Sequence, residues 1–202
     1  MTIYAIVNDL LPEGSACRLE KPVWTLISAS VILQGGNPYF VPDFAERFEA
    51  RTALAVRIGK LGKGVAQRFA HRYVDSIAPC TLSVASDMLA RLQRAGLPWT
   101  AAISYDRCLA MGRLSKIPYE ELDRCDVSLT LSSDQEETTE SLVIDNVKTQ
   151  IENAICSLSR DNTLKTGDII IIGLTDSGPI LRPGMKAVLS LNEEESLRFN
   201  IR

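Results

Sequence analysis

The chain is poor in the residues on which most proton relays and metal centres are built. It has a single histidine, His71, in 202 residues. A Ser-His-Asp arrangement or a histidine-rich metal site would rest on that one imidazole, which excludes most versions of either. The five cysteines (Cys17, Cys80, Cys108, Cys125 and Cys156) are odd in number and widely spaced, with no Cys-x-x-Cys. Zinc ribbons and disulfide frameworks are therefore unsupported, and reduced thiols in a cytoplasmic protein are expected. Basic charge is not in excess. A formal net charge of −3 argues against a nucleic-acid surface. An unbroken hydrophobic run is also missing. Residues 22–42 carry no charge, but Pro22, Gly35, Gly36, Asn37, Pro38 and Pro42 interrupt them, so no membrane span is expected. The opening MTIYAIVNDLLPEG has no basic n-region followed by a long apolar run, so no signal peptide is expected either.

Standard nucleotide and nucleophile motifs are absent too. There is no P-loop, dinucleotide fingerprint or Gly-x-Ser-x-Gly elbow. The stretch GKLGKG at 59–64 lacks the P-loop spacing and its closing Ser/Thr, and reads as a turn. What the chain does have is 46% hydrophobic and 23% charged residues, enough for an ordinary core in one domain.

The patterning is mostly β. Strands are expected at Tyr4–Val7, within the apolar stretch Pro22–Leu33, at Tyr39–Val41, Thr81–Ala85 and Ile169–Ile172, and at 186–191 and 197–201. Leu11–Lys21 reads as loop and Gln34–Pro38 as a turn. A hairpin is expected between Val127–Ser132 and Thr139–Ile144. Helices are expected at Val65–Ser76, where Val65, Phe69, Tyr73 and Ile77 repeat every four residues, and at Asp87–Ala95, ended by Gly96. A third carries the stripe Val147, Ile151, Ile155 and Leu158, with Asp145 as its cap. His71 falls off the apolar stripe of the first helix and reads as a partly exposed helix residue. Glu193–Glu195 reads as a solvated turn. The fold class expected is α+β, mainly β.

The strand at 50–58 is the most informative element. Ala50, Thr52, Leu54, Val56 and Ile58 form one mostly apolar face; Glu49, Arg51, Ala53, Ala55 and Arg57 lie on the other. This is the pattern of a half-buried strand whose second face, mixing charge with very small side chains, leaves room for a cavity.

Longer-range order adds to this. NTLKTGDIIIIGLTDSGPILRPGMKAVLSL runs from a Leu-x-x-Gly-Asp turn through an apolar strand, a Gly-rich loop and a Pro-Gly turn into another strand. Upstream lie TLSVASDMLARLQ with Asp87 and Arg91, a Trp99–Gly112 segment with Ser104, Tyr105 and Asp106, and the strand ending Ile58-Gly59-Lys60. PVWTLISASVILQGGNP lies further towards the N-terminus. In this order the motifs resemble the fumarylacetoacetate hydrolase family over nearly the whole chain, with residues 1–45 as a shortened N-terminal segment.

The resemblance implies a β-roll of mixed sheets with a few peripheral helices, and a homodimer. It also implies a magnesium or manganese ion held by three carboxylates, and hydrolysis, decarboxylation or isomerisation of 2-oxo acids and related dicarbonyls. A hard cation selects oxygen ligands and would stabilise a developing enolate. Residue by residue, the two acidic positions before Gly59-Lys60 fall on Arg51 and Ala53, and Asp87 is the only metal-ligand position that keeps its acid. The lysine before Ser104 is replaced by Ile103, and that of the early strand by Ile27. The N-terminal His/Glu pair of some members has no counterpart; only Asn8 and Glu13 lie near. The last loop reads Gly173-Leu174-Thr175-Asp176, its threonine absent or displaced by one residue, and the acid of the final turn is Met185.

Glu49, Arg51, Arg91, Ser104 and Thr175 are the candidates for lining the pocket. Glu49, two residues from Arg51 on the same face, is a possible displaced carboxylate. Arg51 either stands in the metal's place and pairs with Asp87, or points to solvent while Asp87 caps its helix. Arg91 either binds an anion or solvates its helix. Two function classes follow. One is a divergent member without metal, its chemistry lost, binding a small anionic ligand or a partner. The other is an active magnesium- or manganese-dependent enzyme on a small 2-oxo acid or dicarbonyl.

Overall fold

The computed structural model describes residues 1–11, 22–33 and 35–202. Glu13, Cys17, Gln34 and most of the expected loop Leu11–Lys21 lie outside the described residues. In chain order the strands and helices are β1 (Ile3–Ile6), β2 (Trp24–Ile27), β3 (Ile32–Leu33), β4 (Phe48–Ile58), β5 (Val74–Ala85), α1 (Ser86–Arg94), β6 (Leu109–Met111), β7 (Arg124–Ser132), β8 (Glu137–Asp145), α2 (Val147–Asp161), β9 (Ile169–Ile172), β10 (Lys186–Leu191) and β11 (Glu194–Asn200). Short 3₁₀ turns connect several of them. Seven strands form one mixed sheet in the order β2-β1-β9-β4-β5-β6-β3, and four form an antiparallel sheet in the order β11-β10-β7-β8. The fold is α+β and mainly β.

β4 and β5 form the spine of the larger sheet, antiparallel in register from Phe48 opposite Ala85 to Ile58 opposite Val74. Every residue of β4 is buried except Arg57. The half-buried strand expected from the alternation is thus corrected: both faces are covered. The four-stranded sheet packs on β4 and β5, and α1 also touches both. Ala50, Ala53 and Ala55 add little bulk, so these layers can approach closely.

β9 supplies the other neighbour of β4, pairing Leu54 through Arg57 with Ile172 through Ile169. Four consecutive isoleucines suit a strand buried on both faces. Past β9 the chain stays against β4 as an irregular strap. Thr175 N–H donates to the Thr52 carbonyl at 3.0 Å, Ala50 N–H to Pro179 at 2.9 Å and Leu181 N–H to Phe48 at 2.9 Å. Only glycine fits at 178, where an added Cβ would lie 1.8 Å from the Ala50 carbonyl oxygen. The opposite edge of β9 receives β1, parallel to it. The Asp168 carboxylate locks this junction by accepting the Thr2 and Lys165 N–H groups, each at 2.8 Å.

Several local expectations are corrected. Residues 65–76 do not form an α-helix: Gln67–Tyr73 is a 3₁₀ turn, and Val74 already belongs to β5. The β-branched Val74 and Ile77 are taken up by pairing with β4, and this long-range pairing outweighs the local four-residue repeat. His71 sits half-buried in that turn, its ring 5.6 Å from Tyr119. Tyr39–Val41 forms no strand, only a bridge from Tyr39 to Ile201. The helix after β8 is capped by Asn146 in the left-handed region, not by Asp145, which ends β8.

Candidate functional site

A cavity of about 550 Å³ opens where β1, β9, α2 and the strap meet. Its walls include Ile6, Asp9, Trp24, Leu142, Asn153, Thr175 and Asp176. Asp9 arrives on the 3₁₀ turn that follows β1, and Asp176 on the strap. Neither position depends on the acid itself. The Asp9 backbone is set by the β1–β9 pairing, and the strap by its hydrogen bonds to β4.

The carboxyl of Asp9 is pushed up to about 6, first by burial and then by the nearby charge of Asp176. A carboxylate with a pKa near the working pH can both take and return a proton. Behind it lies Arg51, whose guanidinium Nη1 donates to the Asp9 carbonyl at 3.5 Å. The Arg51 side chain is 9% exposed and pairs at 3.7 Å with Glu49, itself 8% exposed. Unit charges this close at an effective dielectric near 20 interact by about 4 kcal/mol. Burial lowers the Arg51 pKa, against the opposing pull of Glu49, Asp176 and Glu140. Its Nε is buried without a hydrogen-bond partner among the described residues.

Glu140 enters from β8. It accepts a hydrogen bond from the Thr52 hydroxyl at 2.9 Å and a second from Thr175. Burial raises its pKa, while these two hydroxyls and Arg51 act against the rise. Thr175 in turn receives the Thr52 N–H on its hydroxyl oxygen at 3.0 Å. The carboxylates of Glu49, Glu140 and Asp176 thus act on Arg51, while that of Asp9 is acted on by Asp176.

Of the residues singled out in the sequence, Glu49, Arg51 and Thr175 come together here. Asp87, Arg91 and Ser104 do not. The expected Arg51–Asp87 pair is corrected: Arg51 turns to Glu49 and to the Asp9 carbonyl, and Asp87 accepts the N–H groups of Glu46 and Arg47 at 3.2 and 3.3 Å. Burial, the largest single influence, raises the Asp87 pKa, but the backbone donors together outweigh it and hold the carboxyl below its usual value. Arg91 is exposed on α1. The Ser104 hydroxyl accepts the Ser28 N–H at 3.2 Å.

Sequence reasoning misses Asp9, Thr52, Glu140 and Asp176. The signal for Glu140 was available, because it alternates with Leu142 and Ile144 and so belongs to the inward row of β8. Asp9 and Asp176 stand in irregular segments where no periodicity marks a direction.

A divalent metal does not fit the side chains present. Two of the expected ligand positions hold Arg51 and Ala53. The Glu49 oxygens are engaged by Arg47 at 2.9 Å and by Arg51. Both oxygens of Asp87 are filled by backbone N–H groups. Among the described residues no three His, Cys, Asp or Glu side chains gather closely enough to hold an ion.

Comparison with known proteins agrees with this architecture. The family pattern described as fumarylacetoacetate (FAA) hydrolase C-terminal matches residues 14–201. A mitochondrial oxaloacetate tautomerase of Mus musculus is 24% identical over 197 residues, covering 96% of this chain and 87% of the relative. A mitochondrial oxaloacetate decarboxylase of Dictyostelium discoideum is 26% identical over 165 residues, covering 78% and 71%. Among solved structures, the fumarylpyruvate hydrolase of Pseudomonas aeruginosa in complex with Mn²⁺ and pyruvate superposes with a TM-score of 0.80 at 18% identity, covering 100% of this chain and 89% of that one. Among the described residues, no helix is long and apolar enough to cross a membrane.

Proposed function

The chain belongs to the fumarylacetoacetate hydrolase family, and from that premise we propose that it is an enzyme acting on a small 2-oxo acid or dicarbonyl compound. Its step is proton transfer at the carbon beside the oxo group, the reaction type of a keto–enol tautomerase. The names of the curated relatives, oxaloacetate tautomerase and decarboxylase, support this substrate class. The observation that carries the reading is Asp9, a cavity-wall carboxyl with a pKa of about 6.

In its ionised form Asp9 accepts the proton from the carbon next to the oxo group, and in its protonated form it returns one. Arg51, behind the cavity wall and bonded to the Asp9 carbonyl, adds positive charge from outside the cavity towards the oxygen on which the enolate charge develops. Thr175 and Thr52 hold Glu140 in place, and the Asn153 amide, also on the cavity wall, is available to orient a substrate carboxylate. Ile6, Trp24 and Leu142 make the remaining wall apolar, which strengthens these charges by excluding water.

The test follows enol oxaloacetate by ultraviolet absorbance with wild type and Asp9→Asn. Wild type is expected to accelerate enol–keto conversion, with a rate that rises through about pH 6. The variant should lose about 10²- to 10⁴-fold in kcat and lose that pH limb. Wild type that accelerates neither tautomerisation, decarboxylation nor acylpyruvate hydrolysis would overturn the catalytic reading.

One observation favours a second reading. Arg51 stands at an expected ligand position and is tied into an ion pair with Glu49, which suits a protein that binds a small oxo anion without turning it over. Calorimetric binding of oxalate or pyruvate by a protein that shows no turnover would select it.

A further inference from the structure

The donor set that rejects a metal also says what replaces it. Four carboxylates, those of Asp9, Glu49, Glu140 and Asp176, act electrostatically on one another or on Arg51, whose side chain is 9% exposed. Of these Glu49 is buried, Asp9 and Glu140 are half-buried and Asp176 is exposed, and a buried carboxylate needs a compensating cation or it takes up a proton. In this chain the compensating charge arrives covalently, on the central strand of the larger sheet. β4 is fixed by β5 along its whole length and by β9 and the strap on its other edge, so Arg51 is placed by the backbone of the sheet. Two of its nitrogens are engaged, Nη1 with the Asp9 carbonyl and Nη2 with Glu49.

We propose that Arg51 is a resident cation that takes the electrostatic role of a divalent metal, making this a metal-independent site. The inference rests on the family reading above and concerns which charge the site uses, not whether turnover occurs. Its chemistry differs from that of a metal in one respect. A guanidinium offers directed N–H donors in a plane, whereas a divalent ion offers open coordination positions. With Nη1 and Nη2 engaged and its side chain outside the cavity walls, Arg51 supplies charge and not a coordination position, so no metal-bound water could serve there as a nucleophile. Proton transfer is therefore preferred over hydrolysis.

The test measures metal binding and cation rescue on the full chain. Wild type, expressed with manganese and desalted, is expected to carry far less than one metal per chain by plasma mass spectrometry. Its melting temperature should be the same in EDTA and in millimolar MnCl₂. Arg51→Met leaves Glu140 without a cation and Glu49 with only the exposed Arg47. Its melting temperature should fall in EDTA and recover in part on adding MnCl₂, because an outside cation then fills the vacated charge.

Stoichiometric manganese in wild type would overturn the proposal. So would a folded Arg51→Met whose melting temperature ignores manganese. If that variant does not fold, the wild-type metal content decides alone: sub-stoichiometric metal supports the proposal, and one ion per chain overturns it. The two readings fail separately. Wild type that binds manganese and turns over oxaloacetate overturns this inference and leaves the proposed function standing. Wild type that binds no metal and catalyses nothing overturns the function and leaves the resident cation.

Discussion

Asp9 and Asp87 both follow closely on a strand of the larger sheet, yet their surroundings move them in opposite directions. Asp9 sits on a cavity wall with no donor to its carboxylate among the described residues, and burial beside Asp176 raises its pKa to about 6. Asp87 sits at the start of α1 with Glu46 and Arg47 N–H groups on its oxygens, and its pKa is lowered. The difference lies in where the lone pairs go. A carboxylate filled by backbone donors fastens two segments, here the approach to β4 and the first turn of α1. One with open lone pairs in a cavity retains its chemistry. The acid that looks like the surviving metal ligand in sequence is thus the structural one, and the acid that looks incidental faces the cavity.

The largest expected effect comes from removing the buried cation that bonds the Asp9 carbonyl. Arg51→Met should cost about 3 kcal/mol, because it leaves the half-buried Glu140 uncompensated and the buried Glu49 with only the exposed Arg47. Urea unfolding at neutral pH measures this, and a loss below about 1 kcal/mol would show that Glu49 and Glu140 do not depend on Arg51. Gly178→Ala should cost about 3 kcal/mol, since its Cβ would overlap the Ala50 carbonyl at 1.8 Å. It should also disorder the strap, which amide exchange at Thr175 would report.

Asp9→Asn sharpens the comparison through pH. The folded-state pKa of Asp9 lies above the unfolded value, so its ionisation weakens the fold as pH rises through about 6. The variant should therefore gain about 2 kcal/mol over wild type at about pH 8, and the two should converge below about pH 4. Urea midpoints at both pH values test the sign. Asp87→Ala should show the reverse at neutral pH, a loss of about 1 kcal/mol from its backbone hydrogen bonds, fading in acid as wild type protonates. Arg91→Ala, on exposed surface, should change stability by less than about 0.5 kcal/mol and leave oxaloacetate turnover unaltered.

What the sequence reveals depends on periodicity. β4, β9 and the β7–β8 hairpin are legible because alternation or unbroken apolar runs mark them, and the order of turns around them carries the family resemblance. Residues 65–76 misread because Val65, Phe69, Tyr73 and Ile77 satisfy a helical repeat by coincidence while β4 claims Val74 and Ile77 as partners. The burial of both β4 faces also escapes alternation, since Arg51 and Glu49 are covered as a pair that no local pattern shows. Within the site, Glu49, Arg51 and Thr175 could be found because they lie in or beside regular strands and quoted motifs. Asp9 and Asp176 could not, because their meeting depends on a β1–β9 pairing between residues more than 160 positions apart.

That pairing also sets an order of events. Ile3 lies beside Ile169, and Thr2 is bonded to Asp168 across 166 positions. On a ribosome adding about 5–20 residues per second, β1 emerges roughly ten to thirty seconds before its parallel neighbour exists. Its other neighbour, β2, offers only four paired residues, too few to hold a lone hairpin. The turn bearing Asp9 can take its final position only after β9 has docked on β4. Refolding should therefore show sheet formation preceding the recovery of any activity that depends on Asp9, with the Asp9 carboxylate among the last groups to arrive.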